Sequence, residues 1–468
     1  MSEKSPDRQG ELRTGLRRRH MTMLAIGGAV GAGLFVGSGQ VIRTAGPAAI
    51  LSYAAAGLLV LFVLRALGEM VVARPVAGSL AEYARMALGP WAGFTIGWLY
   101  WYLYVILVGA EAVAGAAILA SWVDLPQWLL AAALLILMTC VNLVSVRSFG
   151  EFEFWFASIK VAAIVVFLVL GVLYVLGLWP DSPGGLHNLT AHGGLMPNGL
   201  TSVFTAIVAV MFAFGGTEIV TIAAAESAEP GRAVARATGN VLWRVALFYV
   251  FSIFLVVSIL PWNDAQVLRS PFVSALDRLD VPAAGTIMQA VILTAVLSVL
   301  NSAIYVSSRM LYVLTRDGDA PAGLTRLTPR GVPVRAILLG TVAAWGAVVA
   351  SYVSPDQVFK FLMNSIGTIL AFVYLAILIS EIRLRRRLER DAPASLTYRM
   401  WLFPYLSVLC VVALVAVLVS MAFMPAVRSQ LLASLISLAA VAALYPLRRR
   451  YGRRPPVTTP PLIHPTDR

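Results

Sequence analysis

The chain has 468 residues, 59% of them hydrophobic and 13% charged, with a formal net charge of +13. Its mean hydropathy is +0.82. A water-soluble domain carries about 25% charged and about 45–50% apolar residues, so this composition excludes one. Nor does the basic excess point to nucleic acid, because Lys and Arg gather in short loops between apolar runs, as the positive-inside rule requires.

Crossing a bilayer takes about 20 apolar residues. Twelve such runs are predicted, near 21–42, 48–72, 91–119, 128–145, 152–178, 201–225, 242–260, 283–313, 336–353, 358–382, 402–424 and 430–447. The first 20 residues are polar and basic and do not read as a cleavable signal peptide. With twelve spans, 29 of the 36 Lys and Arg fall on the side of the N-terminus and five on the other, while Arg65 and Lys160 lie at membrane depth. That bias predicts a multi-pass protein of the inner (plasma) membrane with both termini cytoplasmic. The tails, 1–19 and 448–468, read as solvated segments flanking one transporter domain, 20–447.

The first span contains AIGGAVGAGLFVGSG at residues 25–39, with six glycines in fifteen residues. Glycine costs a helix interior about 1 kcal/mol relative to alanine, so this density needs a reason. Gly27/Gly31 and Gly33/Gly37 are G-x-x-x-G pairs that fit close helix packing. Gly31, Ala32 and Gly33 fit an unwound stretch as well, whose free N–H groups can hold a ligand carboxylate. In the second span Arg65 and Glu69 are four residues apart and are expected to pair on one helix face. The third carries GWLYWYLY, which reads as packing or an interfacial belt around Trp98 and Trp101. Farther along, Glu111 is an acid at membrane depth, suited to proton relay or to helix pairing. Cys140 and Cys410 lie in apolar runs and read as buried thiols.

Lys160 in the fifth span is an ionisable group inside the bilayer, either snorkelling to the interface or functional. A desolvated lysine there could exchange protons. The sixth span contains FAFGGTEIVTIAAAES, residues 212–227. Gly215 and Gly216 break it beside Glu218, which reads as a proton site or as an acceptor for freed backbone N–H groups. Phe212 and Phe214 flank the break, as core or as aryl faces for a ligand ammonium. Glu226 reads as a gate ion pair or a solvated end. Asn301 and Ser302 in the eighth span could bind substrate, hold Lys160 or join helices.

Paired breaks in the first and sixth spans are the sequence mark of an inverted-repeat transporter with its site at the breaks. The repeats would run over about 21–178 and 201–382, with helices about 402–447 added. The fold class is therefore an all-α membrane protein of twelve helices in a 5+5 inverted repeat. A membrane enzyme or a channel is disfavoured. No histidine lies in a span, no H-E-x-x-H, G-x-S-x-G or P-loop occurs, and no filter loop is visible. No metal or cofactor pattern is expected.

The stretches RHMTMLAIGGAVGAGLFVGSG, AGPAAILSYAAAGLLVLFVLRALGEM, PWAGFTIGWLYW, GEFEFWFASIKVAAI, FAFGGTEIVTIAAAES and LNSAIYVSSRMLY occur in one order over nearly the whole chain. They resemble the amino acid permeases of the amino acid–polyamine–organocation superfamily. TEIVTIAAAES, SAIYVSSRMLY, RDGDAPA and VFKFL most resemble the bacterial GABA permeases. The resemblance implies proton-coupled uptake of an amino acid by alternating access. It implies substrate at Gly31, Ala32, Gly33, Phe212, Phe214, Gly215, Gly216, Asn301 and Ser302, with a gate at Phe212. Proton coupling would fall to Lys160, Glu218 and Glu111. Lys160 would stand where sodium-coupled homologues hold sodium, tying its span to the first and eighth. Many relatives read G-T-G or G-S-G where this chain has Gly31-Ala32-Gly33. A permease for proline, asparagine or an aromatic amino acid, or an exchanger, remains the alternative.

Overall fold

The computed structural model describes residues 30–75, 80–144, 146–180, 182, 184–218, 221, 230–264, 270–328 and 332–450. Gly27, Gly28, Glu226 and the tail positions 1–19 and 451–468 lie outside the described residues. Among the described residues all regular structure is helical.

In chain order the helices are α1 (Ala32–Phe35), α2 (Gly37–Ala45), α3 (Ala49–Ala73), α4 (Leu80–Leu88), α5 (Pro90–Leu119), α6 (Gln127–Val144), α7 (Val146–Val175), α8 (Asn188–Ala191) and α9 (Gly199–Phe214). Then come α10 (Pro230–Arg244), α11 (Ser252–Ile259), α12 (Pro271–Arg278), α13 (Ala284–Arg316), α14 (Val334–Ser351), α15 (Pro355–Asp391), α16 (Tyr405–Phe423) and α17 (Pro425–Ala443). A π-helical turn, Val245–Phe251, joins α10 to α11.

Among the described residues nine helices are long and apolar enough to cross a membrane, and Gln127–Leu143 and Gly199–Phe214 are shorter apolar helices. The first of the nine, Ala32–Ala73, is 42 residues long. It turns at Gly46–Ala48 and so supplies two crossings. Gly46 has φ +63, and a Cβ there would lie 2.5 Å from Pro197 Cγ, so the bend needs glycine. With that bend the apolar segments match the twelve expected runs. Several helices start on a proline in the first turn, where its missing N–H costs nothing: Pro90, Pro271, Pro355 and Pro425.

Three features differ from the sequence reading. The tenth span continues as helix to Asp391, because RLRRRLER has no breaker until Ala392-Pro393. The seventh begins at Pro230, well before its apolar run. Cys140 is exposed on the outer face of the bundle, while Cys410 is buried as expected.

The bundle is organised around α5, which packs against α4, α6, α13, α14 and α15. In Pro90–Leu119 and Pro355–Asp391, 78% of the most apolar window is buried, against 28% and 17% in Tyr405–Phe423 and Pro425–Arg448. The last two helices are thus peripheral, and their apolar side chains face outward, as lipid contact allows. The inner helices enclose the two glycine-rich breaks.

Candidate functional site

Helix α9 stops at Phe214, where Gly215 and Gly216 form a turn, and helix resumes at Thr217. Gly216 has φ +92, a conformation open to glycine. Breaking a helix inside a bundle orphans backbone groups that have no water to turn to. Here they are answered. The Tyr249 hydroxyl donates to the Ala213 carbonyl at 3.0 Å, and the Thr217 hydroxyl donates to the Phe214 carbonyl at 2.9 Å. The Gly216 N–H donates to Glu218 Oε1 at 3.3 Å. Tyr249 reaches the break from the π-helical turn, which shifts its side chain off the ordinary helical face.

The start of the first described helix has a matching arrangement. Gly31 is non-helical, with φ −146 and ψ −148, and α1 starts at Ala32. The part of the expected span that precedes it, residues 21–29, lies outside the described residues. The Ala32 N–H donates to Glu111 Oε2 at 3.3 Å. Each break therefore presents a freed N–H to a buried carboxylate, Glu111 or Glu218, both at 1% exposure or less.

The start of α1 touches the end of α9. A Cβ on Gly33 would lie 2.6 Å from Ala213 Cα and 3.1 Å from its nitrogen. A Cβ on Gly31 would meet Val299 Cγ2 at 2.6 Å and Glu111 Oε1 at 3.1 Å. These glycines bring the backbones of α1 and α9, the Val299 side chain of α13 and the Glu111 carboxylate into one small volume.

Glu218 also accepts from the Tyr100 hydroxyl at 2.6 Å and the Tyr374 hydroxyl at 3.4 Å, and Tyr104 lies 3.3 Å from Tyr100, oxygen to oxygen. Tyr100 and Tyr104 were read from sequence as packing or belt residues. Their spacing held the signal: residues 100, 104 and 111 are four and seven apart and share one face of α5. Tyr374 gave no local sign.

Lys160 is fully buried, so it does not snorkel. Its ammonium donates to Ser298 Oγ at 2.9 Å and lies 3.9 Å from Glu153 Oε1. The Ser298 hydroxyl stands 2.7 and 2.8 Å from the two Glu153 oxygens, and Ser302 donates to Glu153 Oε2 at 3.2 Å. Glu153 was not singled out in the sequence, although seven residues, two helical turns, put it on the face of Lys160. Buried charges persist only when paired and hydrogen-bonded, and this cluster satisfies both conditions.

The remaining candidates divide between the breaks and the neighbouring helices. Asn301 accepts from Asn142 Nδ2 at 2.8 Å, joining α13 to α6. Phe214 packs against Tyr249 with tilted rings whose centres are 4.7 Å apart, inside the core. Phe212 lies edge-on to Phe359 of α15 at 6.3 Å and borders Gly37. Thus Gly31, Ala32, Gly33, Glu111, Phe212, Gly215, Gly216 and Glu218 surround the breaks. Asn301, Ser302 and Phe214 bind neighbouring helices.

Arg65 and Glu69 do not pair with each other. Arg65 donates to the Tyr398 hydroxyl at 3.1 Å and lies over Trp401, 3.9 Å from the ring centre. Glu69 accepts from Arg385 Nη1 at 2.6 Å and from the Met400 N–H. Aromatic faces and a distant arginine offered each group a drier partner than the exposed pairing along one helix.

This arrangement of buried carboxylates, a buried lysine, a helix interrupted at Gly215-Gly216 and a helix starting at Ala32 suits a site that holds a small zwitterion and moves charge across a membrane. A model of the family described as amino acid permease matches residues 20–454. The chain belongs to the amino acid permease family. The "Gamma-aminobutyric acid permease" of Bacillus subtilis is 51% identical over 91% of this chain and 91% of its own length. The protein of that name from Escherichia coli K12 is 45% identical over 95% of this chain and 96% of its own. The "Aromatic amino acid transport protein AroP" of Corynebacterium glutamicum is 41% identical over 90% and 91%. The chain is a multi-pass membrane transporter of amino acids, as its motifs implied.

Proposed function

We propose that this permease imports γ-aminobutyrate together with protons, by alternating access across the inner (plasma) membrane, with both termini cytoplasmic. The observation that carries this reading is the pairing of each helix break with its own buried carboxyl group, at Glu111 and Glu218. A substrate carboxylate needs backbone N–H donors at a helix start. The donor at Ala32 is held by Glu111 until that acid takes a proton and lets go. Substrate and proton then arrive together, which is symport. Identity of 45–51% to proteins named for γ-aminobutyrate supports that substrate.

In this reading Gly31, Ala32 and Gly33 receive the carboxylate, and Gly215 and Gly216 shape the opposite wall. Phe212, edge-on to Phe359, closes the site on one side. Lys160, Glu111 and Glu218 carry the proton coupling. Asn301, Ser302 and Phe214 support the walls.

The test is uptake by purified protein in liposomes. An imposed inward proton gradient without sodium is expected to drive γ-aminobutyrate accumulation. A sodium requirement would overturn the coupling. Uptake of an aromatic amino acid with no response to γ-aminobutyrate would overturn the substrate.

A further inference from the structure

We propose that Glu153 is the relay carboxylate that receives the proton of Lys160, through the hydroxyl of Ser298. This rests on the proton-coupled reading above and extends it to a residue that reading does not use.

The argument is geometric. The ammonium of Lys160 is 3.9 Å from Glu153 but 2.9 Å from Ser298 Oγ, and Ser298 is within 2.8 Å of both Glu153 oxygens. A pair needed only for neutrality would gain most from direct charge-assisted contact. Here a hydroxyl, at once donor and acceptor, stands between the charges. Ser302 adds a second donor to the carboxylate at 3.2 Å and fixes its orientation. All of this lies in the protein interior, with Glu153, Lys160 and Ser298 at 0% exposure.

The step balances. An ammonium N–H proton passes to Ser298 Oγ as the Ser298 O–H proton passes to Glu153. A neutral amine, an unchanged serine and a carboxylic acid result. The transfer turns an opposite charge pair in a low-dielectric interior into two neutral groups. Glu153 lies seven residues, about 10 Å of helix rise, closer than Lys160 to the start of α7. In the proposed orientation that is the cytoplasmic end, so the transfer moves the proton toward the cytoplasm. The amine is then free to take another from the substrate side. Among the described residues the other charged groups acting on Lys160 are Glu111 from α5 and Arg244 from α10. Glu111 is engaged at the Ala32 N–H, and Arg244 is a cation, so among these groups Glu153 is the acceptor with a hydrogen-bonded route.

The experiment compares wild type, Glu153→Gln, Glu153→Asp and Ser298→Ala in proteoliposomes, with γ-aminobutyrate as probe. Glu153→Gln keeps the shape and accepts a hydrogen bond but cannot take up a proton. It is expected to lose accumulation driven by a proton gradient, and its uptake is expected to lose its pH profile, while counterflow exchange persists. Ser298→Ala should behave alike, and Glu153→Asp should recover the gradient response. A wild-type gradient response in Glu153→Gln overturns the relay. Joint loss of counterflow and accumulation that Glu153→Asp does not recover also overturns it, by assigning Glu153 to structure alone. If wild type itself ignores the gradient while transporting substrate, the proton-coupled reading fails and the relay falls with it.

Discussion

Gly33 shows what a single absent methyl group decides. Its missing Cβ leaves room for the Ala213 backbone, which lies 2.6 Å from where that atom would be. Backbone cannot swing aside as a flexible side chain can, so Gly33→Ala must push α9 from α1. Overpacking of this kind costs about 1–3 kcal/mol. The variant is expected to unfold at lower temperature in detergent and to transport poorly. Gly239→Ala, on α10 with nothing within 4 Å of the added atom, is expected to leave both unchanged. The sequence made these glycines conspicuous without assigning them. Which one touches backbone, which a carboxylate and which open space depends on the partner helix, and a partner helix leaves no local trace.

At the scale of elements, pairing between helices prevails over pairing within one. Arg65 and Glu69 have the spacing of a helical ion pair, worth about 0.2–0.5 kcal/mol when exposed. Instead Glu69 ties α3 to α15 through Arg385 and to the backbone that leads into α16 through Met400. Arg385 also lies over Phe403, 4.4 Å from the ring centre. Removing one partner of a buried pair strands the other and costs about 3–5 kcal/mol. Glu69→Ala is therefore expected to destabilise strongly. Glu69→Leu with Arg385→Met should cost less than the sum of the single changes, and a double-mutant cycle on thermal unfolding measures the difference. Spacing along α5 and α7 was more informative. Tyr100, Tyr104 and Glu111 share a face, as do Glu153 and Lys160, so the stripes were readable although the partners they meet were not.

Over the whole molecule, one end of the bundle is tied by a second buried cluster. Asp319, after α13, pairs with Arg85 of α4 at 2.5 Å and with Arg448, beyond α17, at 2.5 Å. Trp98 donates to its carbonyl at 3.0 Å. Burial opposes the charge on Arg85, but Asp319 and then Glu82 outweigh it and raise its pKa above the ordinary arginine value. Arg85 thus stays a cation at every accessible pH. The cluster joins three segments that are remote in sequence. Asp319→Asn is expected to release the segment after α17, read as several-fold faster protease cleavage near the C-terminus, with the transmembrane core intact. Unchanged cleavage would show that Arg448 is held by other contacts.

The sequence by itself determined the class of molecule, the apolar segments, the family and the helix break at Gly215-Gly216. Those properties depend on composition, run length and glycine position, which are local. Only the tertiary structure decided how the charges are partnered. It gave Glu111 the Ala32 N–H, surrounded Glu218 with Tyr100 and Tyr374, and set Ser298 between Lys160 and Glu153. In an interior of low dielectric each buried charge must find a partner wherever the packing brings one, and that place is set by helices distant in the chain.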